Sequence, residues 1–170
     1  MYITCRGLDN AGKTTIVKKL CGEDTSSVSP TLGFQIKTVH RDGCRLNIWD
    51  VGGQKSLRSY WKNYFERTDA LVWVLDSSDW NRMDDCVEEL VALLEDERLA
   101  GASLLLLANK QDMPGSLSVE EINDGYLKLD RFNGQRNWKI SPCSGYTGQG
   151  LDDSFTWLVH NVESRLFLLD

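Results

Sequence analysis

Gly7-Leu8-Asp9-Asn10-Ala11-Gly12-Lys13-Thr14 stands between an apolar run, Tyr2–Cys5, and a stretch with helical spacing, Thr14–Leu20. Two glycines framing four residues, then a lysine and a hydroxyl side chain, make a loop that wraps an anion. Gly7 and Gly12 permit backbone angles that turn the loop around a phosphate with no Cβ in the way. The N–H groups of the loop, with Thr15 and the helix N-terminus behind them, face phosphate oxygens and favour their negative charge. Lys13 adds a point charge toward the β- and γ-phosphates, and the Thr14 hydroxyl ligates Mg²⁺. Strand, loop and helix in that order indicate a P-loop. The base stays open at this stage.

Outward from the loop, strands and helices alternate. Short apolar runs recur at Ala70–Leu75 and Leu104–Ala108, each of strand length and closed by Asp or Asn. Helical spacing covers Met83–Leu99, Val119–Leu129 and Leu151–Leu169; in the last, Phe155, Leu158, Val159, Val162 and Leu166 share one face. Buried strands separated by amphipathic helices predict a mostly parallel sheet with helices on both faces. Phe34–His40 and Arg45–Asp50 depart from this rule. They flank the turn signal Arg41-Asp42-Gly43 and predict an antiparallel hairpin at the sheet's edge. With Trp138–Pro142 as a further strand, the expected fold is a six-stranded sheet with one antiparallel edge strand. Without repeat, low-complexity tract or linker, residues 1–170 are expected to form one domain.

The base is named later in the chain. Asn109-Lys110-Gln111-Asp112 follows Leu104–Ala108 at the carboxyl edge of the sheet, where open α/β folds bind ligands. A carboxylate there accepts from guanine N1–H and the 2-amino group. Adenine offers neither donor, and a polar site left unpaired rejects the wrong ligand strongly. Trp49-Asp50-Val51-Gly52-Gly53-Gln54 closes the hairpin. Asp50 is placed to hold Mg²⁺ through water, Gly53 to bring its N–H to a γ-phosphate, and Gln54 to orient an attacking water. Thr31, in Pro30-Thr31-Leu32-Gly33, is a second hydroxyl for the metal and the γ-phosphate. Cys143-Ser144-Gly145, after Trp138–Pro142, offers backbone N–H groups to guanine O6.

Composition removes other classes. Of 170 residues, 41% are hydrophobic and 26% charged, as in ordinary globular proteins. The longest apolar run, Ala70–Leu75, is far below the ~18 residues a membrane helix needs. Nineteen Lys and Arg against 25 Asp and Glu give a net charge of −6, which disfavours a nucleic-acid surface. Five scattered cysteines without a CxxC pair read as reduced thiols, and two histidines are too few to suggest zinc. Tyr2 excludes N-myristoylation of this chain, and Leu168-Leu169-Asp170 is no prenylation box, so no lipid anchor is expected. These features together suggest a cytoplasmic location.

Taken together, these five motifs resemble those of small GTPases of the Ras superfamily. Gly7 through Thr15, with Trp49–Gln54, resembles the ADP-ribosylation factor family in particular. Leu46–Trp61, Ser29–Phe34 and Glu97–Ala102 are similar to a subgroup linked to tubulin-folding cofactors. The resemblance implies the P-loop small G-protein fold, GTP or GDP with Mg²⁺, and effectors that meet Phe34, Trp49 and Tyr64. It further implies tubulin-folding cofactors and prenyl-binding carrier proteins as partners, and association with microtubules or centrosomes. The family's N-terminal amphipathic helix is not expected ahead of Tyr2–Cys5, because Met1 directly precedes that strand. Arg6 replaces an apolar strand residue and is expected to find a carboxylate or solvent, since burying it without a partner is costly. Trp73 and Trp157 are expected in the core.

The resulting expectation is a GTP-binding switch with slow hydrolysis. Mg²⁺-GTP is expected to hold Thr31 and Gly53 and order the two switch segments, which are released once hydrolysis removes the γ-phosphate. Asp9 lies beside that phosphate, and no arginine near the switch segments is at an obvious in-cis finger position, so an activating partner would have to supply one. A P-loop ATPase or kinase would lack Asn109–Asp112 and need an acceptor site. A nucleotide-bound scaffold that never hydrolyses is disfavoured by Lys13, Thr14, Asp50 and Gln54.

Overall fold

A computed structural model describes residues 1–54, 56 and 67–168. Six strands, β1 (Tyr2–Arg6), β2 (Phe34–Arg41), β3 (Cys44–Val51), β4 (Ala70–Asp76), β5 (Ser103–Asn109) and β6 (Trp138–Pro142), form one sheet in the order β2-β3-β1-β4-β5-β6. Only the β2–β3 pair is antiparallel. The expected hairpin is therefore at the edge, and each strand falls within one residue of its reading at either end. Its turn rests on Asp42 at φ 49° and Gly43 at φ 79°. Two positive φ angles match the twist of the flanking strands. β5 is buried along its whole length because helices cover both of its faces.

The alternation of side chains divides the core in two. On one face Ile3, Cys5 and Val72 pack under α1 (Lys13–Leu20) and α4 (Leu151–Phe167), against Ile16, Phe155 and Leu158. On the other, Leu71, Trp73 and Leu75 meet Met83 and Leu90 of α2 (Met83–Leu94) and Ile122 of α3 (Val119–Ile122). Trp73 is fully enclosed, with Nε1–H donating to Cys86 Sγ at 3.3 Å. Truncating a fully buried ring such as Phe155 to alanine would cost about 3–5 kcal/mol. Asp152 and Asp153 lie in the first turn of α4, where the helix dipole favours negative charge.

Three expectations need correction. The helix read over Met83–Leu99 ends at Leu94. Arg136 donates to the carbonyls of Leu94, Leu99 and Ala102, while the Asp96 side chain accepts from Arg98 N and starts a separate 3₁₀ turn. The stretch Val119–Leu129 is helical only through Ile122 before widening into a π-helical turn, Asn123–Leu127. It stops there because Lys128 adopts φ 52°, while Asn123 accepts from Lys128 N and Leu129 N. Trp157 is only partly buried, with Lys139 Nζ 5.9 Å from its ring centroid. Arg6 is fully buried opposite Trp73 and is engaged there, in keeping with the expectation that burial requires a partner.

Candidate nucleotide site

The loop after β1 is held from behind. Leu8 and Ala11 bury their side chains in opposite halves of the core, leaving only their main chain to the cleft. Gly12 opens α1 at φ 101°, and a Cβ there would collide with Asn109 Nδ2, so both angle and space require glycine. Successive carbonyls accept from distant side chains. Asp9 O takes Arg82 Nη2 at 2.7 Å, Asn10 O takes Lys110 Nζ at 2.8 Å, and Ala11 O takes Asn109 Nδ2 at 2.8 Å. In a trans peptide the N–H points opposite to the C=O. Pinning these carbonyls therefore turns the N–H groups of Asn10, Ala11 and Gly12 the other way. Lys13 Nζ bonds Gly7 O at 3.0 Å and Leu8 O at 2.7 Å, folded back over the loop it follows.

Three segments converge on Thr14. Its Oγ1 lies 2.6 Å from Thr31 Oγ1 and donates to Asp50 Oδ2 at 2.7 Å. A cleft of about 650 Å³ opens here, lined by the loop, residues 28–31 and 52–54. That volume suits a nucleotide-sized ligand. Burial pushes the Asp50 carboxyl upward, and the Thr14 hydrogen bond and Lys13 charge partly offset it. Asp50 Oδ1 is buried with no hydrogen-bond partner among the described residues. A buried orphan carboxylate oxygen beside two hydroxyls is a hard-oxygen donor set of the kind Mg²⁺ takes. Gly53 is seated against the loop so closely that a Cβ would collide with Asp9 N and lie 2.6 Å from Lys13 Nζ. A cradle with no room for a side chain fits a phosphate chain. Gln54 lines the same cleft, with Oε1 buried and without a hydrogen-bond partner among the described residues.

The base-reading segments meet beside the cleft. Asn109 Oδ1 accepts from Gly145 N at 2.9 Å and from the Cys143 thiol at 3.6 Å. Burial pushes that thiol up to about 12, so it remains an S–H donor. Asp112 Oδ1 accepts from Ser144 Oγ at 2.7 Å, and Ser144 Oγ accepts from Thr147 N at 3.0 Å. Asn109 thus links Ala11, Asp112's loop and the Cys143–Ser144 turn in one network. Lys110, at φ 66°, pairs with Asp76 at 2.8 Å.

Residues 1–162 match the ADP-ribosylation factor family. The chain belongs to that family. Its curated relatives include ADP-ribosylation factor-like protein 2 of Arabidopsis thaliana, 60% identical over 170 residues. Proteins of the same name from Dictyostelium discoideum and Drosophila melanogaster are 56% and 54% identical. Each alignment covers 100% of this chain and 91% of the relative. Among solved structures, the Arl6 BBS3 small GTPase of Trypanosoma brucei with bound nucleotide analogue GppNp is 29% identical. It superposes with a TM-score of 0.86, over 96% of this chain and 98% of that one. As an ADP-ribosylation factor family GTPase, the protein uses GTP and GDP with Mg²⁺, hydrolyses GTP to GDP, and binds effectors. None of the helices among the described residues is long and apolar enough to cross a membrane.

Within this family GTPase, the aromatic pair Phe34 and Trp49 stacks at 5.3 Å between centroids with an interplanar angle of 28°. Phe34 and Ile36 stay about half exposed on the edge strand. Tyr64 lies outside the described residues. One residue escaped the sequence reading altogether. Arg82 arrives from 73 positions downstream to grip Asp9. No local motif announces it, because the contact exists only once the head of α2 packs behind the loop.

Proposed function

We propose that the protein is a switch that closes two segments over GTP, hydrolyses it slowly unaided, and releases them as GDP forms. The convergence of Thr14, Thr31 and Asp50 within 2.7 Å carries this reading, because it joins the P-loop to both segments at one point. Thr14 and Thr31 would ligate the metal directly and Asp50 through water. Mg²⁺ held there would offset the negative charge of the phosphate chain. Lys13 swings its amine from loop carbonyls to the phosphates, joined by N–H groups from Gly7 to Thr15, and Gly53 offers its N–H to the γ-phosphate. Gln54 orients the attacking water. Asp112 reads guanine N1–H and the 2-amino group, Asn109 and Lys110 secure that loop to the P-loop, and Cys143 and Ser144 offer N–H groups to O6.

Slow unaided hydrolysis follows from charge. Arg82 has Nε, Nη1 and Nη2 all engaged with Asp79 and Asp9, so it has no free fork to extend over the reacting phosphate. An arginine from an activating partner would raise the rate by ~10³–10⁵. Effectors would meet the Phe34–Trp49 stack, since aromatic anchors bury large area at small entropy cost. The residues around Leu46–Trp61 support tubulin-folding cofactors and prenyl-binding carriers as partners, and with them a cytoplasmic, microtubule- or centrosome-associated setting.

Single-turnover hydrolysis of wild type and Gln54→Leu, with and without an activating protein, tests the mechanism. Wild type should be slow alone and fast with the partner. The leucine form should keep GTP bound in both cases, because it fills the same space without holding the water. Equal accelerated rates for the two would remove Gln54 from its role. Absence of hydrolysis in wild type with the partner would favour the scaffold reading.

A further inference from the structure

Asp9 is an acidic side chain in a loop shaped to bind an anion. Among the described residues that line the cleft it is the only acidic one. It also stands where Gly53 closes, since a Cβ on Gly53 would run into Asp9 N. A carboxylate at that point repels a phosphate chain, and repels it most at the terminal group.

Arg82 meets this charge in a specific way. The residue ends a single 3₁₀ turn, Trp80–Arg82, just ahead of α2. Its Nη1 donates to Asp9 Oδ1 at 2.9 Å and its Nη2 to Asp9 O at 2.7 Å. Nε donates to Asp79 Oδ2 at 2.8 Å, which fixes the plane of the guanidinium. The side chains of Arg82 and Asp9 are 34% and 51% exposed, so the pair adds little to folding stability in itself. Its consequence lies in where the charge sits. A planar fork that takes a side-chain and a main-chain oxygen of one residue sets that residue's orientation as well as its charge.

We propose that Arg82 is a positioning residue for the nucleoside triphosphate: it holds the Asp9 carboxylate aside and neutralises it, and so preserves affinity for GTP relative to GDP. The inference rests on the proposed reading of the cleft as a guanine-nucleotide site. On that reading GDP would end short of the Asp9–Gly53 corner, whereas the γ-phosphate of GTP would extend toward it. Losing Arg82 should therefore penalise GTP selectively, by roughly ten- to fifty-fold for like charges a few ångströms apart in a half-exposed site.

The test is competition binding of GDP and a non-hydrolysable GTP analogue, with Mg²⁺, to wild type, Arg82→Ala, Arg82→Lys, Asp9→Asn and Asp9→Asn/Arg82→Ala. Thermal midpoints of each protein are measured alongside. Arg82→Ala should lower the GTP/GDP affinity ratio, Arg82→Lys should fall between it and wild type, and the double variant should return near the wild-type ratio. Asp9→Asn alone should move the ratio toward GTP, an outcome that needs no Arg82 variant to fold. Equal weakening of both nucleotides in Arg82→Ala would indicate a merely structural contact and overturn the inference. So would a deficit that persists in the double variant, or a shift of Asp9→Asn toward GDP. A wild-type chain that binds both nucleotides while the variants keep its ratio defeats this inference alone. A wild type that binds neither defeats the reading of the cleft as well.

Discussion

Gly53→Ala isolates closure of the second segment from nucleotide binding itself. The added Cβ would lie 2.6 Å from the Leu8 carbonyl carbon and 2.6 Å from Lys13 Nζ, and would collide with Asp9 N. Comfortable carbon contacts need about 3.5–4.0 Å, so the segment must withdraw by about 1 Å. The other side cannot yield. The loop is pinned at the carbonyls of Asp9, Asn10 and Ala11 by Arg82, Lys110 and Asn109. Forcing a methyl group into a packed contact costs about 1–3 kcal/mol, and here only in the closed state. GTP affinity should therefore fall about 5- to 150-fold relative to GDP. Fluorescent-nucleotide dissociation rates for GDP and a non-hydrolysable GTP analogue measure this directly. A wild-type GTP/GDP ratio in Gly53→Ala would mean that Gly53 does not close on the loop in the bound state.

Asp112→Asn should weaken guanine binding severely and favour xanthine, whose 2-oxo group accepts from the amide; competition with both nucleotides decides it, and unchanged GDP affinity would remove Asp112 as base reader. Thr14→Asn should lose more affinity for GTP than for GDP, because the triphosphate carries more charge for the metal that Thr14 would help hold to offset, and equal losses in nucleotide titrations would contradict that role. For Asp76, burial raises the carboxyl's pKa, but hydrogen bonds from Lys110 and Ser78 outweigh it and hold the group below its ordinary value. The stability this group adds is present above the unfolded value of about 3.9 and is lost as pH falls through the depressed folded value. Asp76→Asn should flatten the fall in urea midpoint between about pH 5 and pH 3, and an unchanged slope would show that Asp76 is not responsible.

Strand positions, the loop after β1 and the hairpin turn, where the chemistry is local in sequence, matched the structure, whereas the local Asn123 and Lys128 contacts that end the helix after Val119 were missed. Gly7–Thr14 sits between β1 and α1, and the Asp42-Gly43 turn pairs β2 with β3, because glycine placement and apolar period act over a few residues. The motif segments were readable for the same reason. Their mutual contacts were not. Nothing near Asn109 states that its amide will join Ala11 to Gly145, and nothing near Asp9 announces Arg82. Helix ends failed where a distant side chain decided them, as Arg136 does at the carbonyl of Leu94. Arg6 shows the opposite limit. A charged residue in an apolar strand signals that burial would need a partner, and only the tertiary packing shows that it is enclosed completely beside Trp73.

The central claim is that the cleft beside Thr14, Thr31 and Asp50 holds a guanine nucleotide. Denaturing the purified protein and identifying the released nucleotide by chromatography, with a matched titration of GDP against ADP, tests it most directly. GDP or GTP in near-stoichiometric amount, with GDP bound far more tightly than ADP, is the predicted result. Release of an adenine nucleotide, or equal affinity for ADP and GDP, would contradict the account.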